Sequence, residues 1–169
     1  MFVFHELDGL TRKFMRQEYF LDKEKGLLYE SRLMTEEGMA RFPQLLLEVL
    51  TGGTIESLAR KLENSAFWGP RARDDSPLAL AEEQFNQYYM RGLLLRLIEE
   101  GQSEAAVYLA NEQCHAGRRG AQPGNALNCE EALEDLRSAS RDQWRGTTGL
   151  VRCAKTGISL KRIGRAPSS

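Results

Sequence analysis

One helix limits what this chain can fold into. Ser76 followed by Pro77 is a start signal, because proline lacks an N–H that the first turn leaves unpaired anyway, and Gly101 is a stop. Between them Leu78, Ala81, Phe85, Tyr88, Gly92 and Leu95 recur at helical spacing. Tyr89, Leu93, Leu94, Leu97 and Ile98 widen the apolar face in the second half. A helix apolar on most sides has to be buried, so the pattern predicts a long central helix from 76 to about residue 100. Gly92 costs about 1 kcal/mol against alanine in a helix interior and predicts a close backbone approach there. Arg91 and Arg96 need an acid or water near them if the helix is buried; a pair with a carboxylate of the body is the expectation, and an arginine lining a pocket the alternative. The hydroxyls of Tyr88 and Tyr89 need partners for the same reason.

Other elements follow from shorter signals. The stretch "QEYFLDKEKGLLYESRL" reads as a hairpin, two aromatic and aliphatic runs turning at Lys23-Glu24-Lys25-Gly26, with a helix over the same stretch as the alternative. Thr35 reads as an N-cap with Glu36 and Glu37 in the positive first turn. Met39, Phe42, Leu45, Leu46, Val49 and Leu50 follow, with Pro43 expected to kink or split that helix. Thr54 caps a second helix with the stripe Ile55, Leu58, Ala59 and Leu62, and "FWGPRARDDSP" is a loop. "AAVYLA", 105–110, suits an interior strand, and "NEQCHAGRRGAQPGNAL" a long loop. Asn128 and Glu131 form a capping-box-like start to a helix that buries Ala132, Leu133 and Leu136 and runs on into Arg137, Arg141 and Arg145. "GLVRCAKTGISLKRI" reads as a second hairpin turning near Thr156-Gly157.

The fold class expected is α+β: a small, mostly antiparallel sheet of two hairpins plus a central strand, packed against four to five helices, one of them long and central. A single domain is expected over 1–165, with a flexible tail over 166–169. The N-terminus lacks a basic region and a small-residue cleavage site, so no signal peptide is expected. Cys114, Cys129 and Cys153 are widely spaced without a C-x-x-C pair, which fits reduced thiols and predicts a cytoplasmic protein.

Charge is distributed unevenly. Residues 1–136 hold 15 Lys and Arg against 23 Asp and Glu, and residues 137–169 hold 8 against the single Asp142, so net charges of −8 and +7 make up the chain's −1. In the basic segment Arg137, Arg141 and Arg145 stand four residues apart, with Trp144 beside them. Like charges at that spacing repel by a few tenths of a kcal/mol per pair; a helix C-terminus offsets part of this. A solvated helix end accounts for the row. So does a docking face for carboxylates or phosphates made of Arg137, Arg141, Trp144, Arg145, Arg152, Lys155, Lys161 and Arg162, with Arg165 following.

Weaker patterns point elsewhere. "LLLEVLTGGTIESLARKL" has the outline of a helix-turn-helix, but Glu56, Arg60, Lys61 and Glu63 give its second helix a mixed face that phosphate disfavours. Cys114-His115 with Cys129 and Cys153 lacks the paired spacing of small zinc sites. Glu130 and Glu131 oppose a thiolate at Cys129. Asp74, Asp75, Glu82 and Glu112 are the acids a metal-dependent hydrolase or nuclease would use, with Glu83 beside them, yet the helix dipole alone explains Glu82 and Glu83. No cofactor and no metal are expected. The reading is a non-enzymatic binding or assembly module, its basic C-terminal segment meeting an acidic surface on its own copy or on a partner protein. Nucleic acid through the same segment is the alternative, a small metal-dependent hydrolase the second alternative, and no membrane partner is expected.

Overall fold

The computed structural model describes residues 1–114, 120–139, 148–150 and 157–164. Its elements begin with helices α1 (Gly9–Glu24), α2 (Glu36–Gly52), α3 (Ile55–Leu62) and α4 (Ser76–Glu99). Strands β1 (Glu104–Leu109) and β2 (Ala126–Asn128), helix α5 (Cys129–Ala139) and strand β3 (Ile158–Arg162) follow. The class is α+β: among the described residues, five helices and one three-stranded antiparallel sheet ordered β2-β1-β3. None of these helices is long and apolar enough to cross a membrane.

α4 is the axis, as its sequence dictates. Phe85, Tyr89, Met90, Leu93, Leu94 and Leu97 are fully buried, pointing to different sides of the helix, where α1, α3, α5 and β3 each pack. Apolar burial starts at Leu80 rather than Leu78, which is 46% exposed. The start signal also differs in detail. Asp75 takes the N-cap position without a side-chain cap bond, while Ser76 Oγ turns back to accept from Arg73 N–H at 2.9 Å. Gly92 is where α1 crosses: a Cβ there would lie 2.7 Å from Met15 Cγ and 2.8 Å from the Met15 backbone nitrogen.

Residues 17–33 are not a hairpin. The first run belongs to α1, whose inner face is Phe14, Met15, Glu18, Tyr19 and Asp22. Gly26, at φ +67°, ends a helix instead of turning a hairpin: Leu27 N–H bonds to Asp22 C=O at 2.8 Å and Gly26 N–H to Lys23 C=O at 3.2 Å. That pair of bonds is the Schellman arrangement, which closes the free carbonyls of a helix end. α2 runs unbroken through Pro43, whose carbonyl accepts from Tyr19 Oη at 2.9 Å. Thr35 and Thr54 cap α2 and α3 as expected, Thr54 in a reciprocal capping box with Ser57.

β1 is the central strand. It pairs with β3 from Ala105↔Arg162 to Leu109↔Ile158, which sets Ala105, Val107, Ile158 and Leu160 together in the core. β2 forms where the expected loop ends, its last residue being the Asn128 expected to open the next helix, and pairs Glu104↔Asn128 to Ala106↔Ala126. Of the first arm of the expected C-terminal hairpin, Gly149 and Leu150 are not strand and residues 151–156 lie outside the described residues, as does the tail over 166–169. The N-terminal segment, too, has a place in the fold. Val3 N–H bonds to Ala110 C=O at 2.8 Å, and Phe4 packs 4.4 Å from the Tyr89 ring and 5.4 Å from Phe85, centroid to centroid.

Gly92→Ala tests the α1–α4 crossing. The gain of about 1 kcal/mol in helix propensity is outweighed by overpacking against Met15, so net stability falls by about 1–2 kcal/mol in urea unfolding. Equal or greater stability would mean that the crossing has room to spare.

Candidate functional site

A buried ion network joins three helices. Glu18 and Asp22 are one turn apart on the inner face of α1, and Arg91 meets them from α4 with its side chain fully buried. Its guanidinium donates to Glu18 Oε2 from Nε at 2.9 Å, and to Asp22 from Nη1 at 2.6 Å and Nη2 at 2.9 Å. Tyr88 Oη donates to the same Asp22 at 2.8 Å. Glu18 then accepts a second guanidinium, that of Arg137 on α5, at 3.0 Å from Nε and 2.5 Å from Nη2. Burial pushes the Glu18 carboxyl up, but Arg137 and Arg91 together outweigh it and hold the group below the ordinary carboxylate range. Burial pulls Arg91 down and is outweighed in turn by Asp22 and Glu18. Burial, then Asp22, pushes the Tyr88 phenol up.

The basic segment is attached to the body at several points. Arg137 is bound to Glu18, as above. Buried Asp135 accepts Thr148 N–H at 2.6 Å, and Leu150 is fully buried. Arg162 donates to Glu100 at 2.6 Å, and its backbone N–H bonds to Glu6 at 3.1 Å. Glu100 is shared with Arg96, which also reaches Asp8 at 2.8 Å, and the two guanidinium groups hold the Glu100 carboxyl down. Lys161 lies 5.8 Å above the Tyr108 ring. Arg137 and Arg162 thus serve the fold. Arg141, Trp144, Arg145, Arg152, Lys155 and Arg165 lie outside the described residues.

The other sequence candidates disperse. Asp75 pairs with Arg73 in the open, Glu112 is exposed, and Glu82 is half-buried within 3.5 Å of Asn111 Nδ2. Among the described residues no three of His, Cys, Asp and Glu come together to hold a metal ion; His115 and Cys153 fall outside them. Cys129 is buried at the start of α5, and burial with Glu104 and Glu130 nearby pushes its thiol up to about 11. Burial and Glu82 also raise Cys114. Neither thiol is poised as a nucleophile at neutral pH.

Sequence reasoning missed Glu18 and Asp22, although it called for an acid or water at Arg91. Their spacing of four residues was the available signal, legible only once residues 9–24 are read as a helix. Searches against protein-family models, curated proteins and solved structures find no match to this chain.

Removing one partner from a buried pair strands the others, so Glu18→Ala costs about 3–5 kcal/mol at neutral pH in urea unfolding. The acid dependence follows from the depressed folded pKa. Glu18's contribution is complete above its ordinary value of 4.5 and is lost as pH falls through the lower folded value. Parent and variant should therefore converge in stability in acid; a gap that stays constant down to about pH 2 would contradict this.

Proposed function

We propose that the protein is a binding and assembly module whose basic C-terminal segment docks on the acidic body of a second copy. The observation that supports this most is the way the segment is fastened. Arg137, Thr148 with Leu150, and strand β3 tie it to the body at intervals. Arg141, Trp144 and Arg145 are thereby carried between the first two ties, and Arg152 and Lys155 between the second and third. Arg137 and Arg162 are themselves held by carboxylates of their own chain, Glu18 and Glu100, and serve the fold rather than the docking surface. The body offers more carboxylates: Glu36, Glu37, Glu56, Glu130 and Glu131 are exposed near helix starts. Contact between unlike surfaces of identical copies closes into a ring or extends as a filament.

Light scattering across a salt series tests the reading. Mass should rise with protein concentration at low salt. Association should weaken by about tenfold or more as the Debye length shrinks from about 10 Å to about 3 Å. A monomer at low salt and high concentration overturns it. If the chain stays monomeric but binds an oligonucleotide with a steep salt slope, the same basic segment is a nucleic-acid surface instead.

A further inference from the structure

An apolar hollow of about 220 Å³ opens between the N-terminal segment, the start of α3 and the middle of α4. Phe2, Phe4, Leu7, Ile55 and Phe85 line it, with Glu56 among the lining groups. Its aromatic wall is continuous, Phe4 lying 5.6 Å from Phe2 and 5.4 Å from Phe85, centroid to centroid. Glu56 is exposed and forms no ion pair among the described residues. Glu82 stands nearby, its carboxyl raised by burial and by Glu56, while the Met1 ammonium, held 3.0 Å from Asn111 Oδ1, acts the other way. A further cation near this site among the described residues is already engaged. Arg12 lies 6.0 Å from the Phe85 ring, but its guanidinium donates to the carbonyls of Val49, Leu50 and Gly53 at 3.1, 3.2 and 2.8 Å.

A cavity of about 150 Å³ lined by aliphatic and aromatic side chains admits benzene, so this larger, open hollow has the volume for an indole. The chain has two tryptophans. Trp68 is used by the fold, its indole N–H donating to Leu62 C=O at 2.6 Å. Trp144 belongs to the basic segment, three residues after Arg141 and directly before Arg145. An aromatic group flanked by guanidinium groups complements an aromatic hollow with carboxylates beside it. We infer that Trp144 of one copy enters this hollow on a second copy, with Arg141 and Arg145 meeting Glu56 and Glu82. The inference rests on the assembly reading above and names the two surfaces that meet.

Paired variants test it. Trp144→Ala removes the plug and leaves the hollow; Ile55→Trp fills the hollow and leaves the plug. Because Ile55 is buried, Glu56→Lys on the exposed lip serves as a second hollow variant. Loss of a central tryptophan should weaken association by about thirtyfold or more, and each hollow variant should fall to monomer at concentrations where the parent assembles. Mixed in equal amounts, the plug variant and a hollow variant should form a discrete dimer, because one productive contact remains. If the parent assembles and Trp144→Ala assembles equally well, this contact is wrong while the assembly reading survives. If all variants are monomeric and their mixture stays so, the pairing of this plug with this hollow is overturned. A parent that never assembles overturns both.

Discussion

A guanidinium cut off from water must be enclosed by negative charge, and the fold is arranged around satisfying Arg91. α1 supplies two carboxylates one turn apart, which fixes where along α4 it lies. The crossing at Gly92, the residue after Arg91, lets the two backbones come close enough for those carboxylates to reach. Glu18 then has an oxygen left over, and Arg137 takes it from α5. Two positive and two negative groups balance, with the Tyr88 hydroxyl completing Asp22. Such a cluster contributes less net stability than an apolar core of equal volume would. Its effect is on register: sliding α1 by one turn would leave Arg91 facing the wrong side chains.

That arrangement also explains which parts of the fold were legible in the sequence. α4 was readable because its start, its stop and its apolar faces agree, and Gly92 marked the crossing by being a poor helix residue in a good helix. α1 was not, because Glu18 and Asp22 interrupt the apolar stripe on the very face that is buried. With that period broken, Gly26 looked like a hairpin turn, and the local sequence does not distinguish a left-handed glycine that closes a helix from one that turns a strand. β2 is three residues long, too short to show alternation. The polarity of the charge map was plain from composition, but which guanidinium meets which carboxylate depends on distances that only the folded chain defines.

The charge asymmetry therefore has two parts. One is internal, with Arg137 and Arg162 joining the C-terminal segment to α1 and to the end of α4. The other is the set of cations and the tryptophan carried between the points of attachment. An acidic body with an aromatic hollow is the counterpart proposed for them on a second copy.

The sheet order β2-β1-β3 has a consequence for how the protein is made. β1 lies in the middle of the sheet, yet one of its neighbours is the strand ending at Arg162, and the bond from Arg137 to Glu18 spans 119 residues. A nascent chain on the ribosome can bring α1 against α4 early, but β1 then waits with an open edge for β3 to emerge. During translation this edge is the part most exposed to pairing with a neighbouring nascent chain.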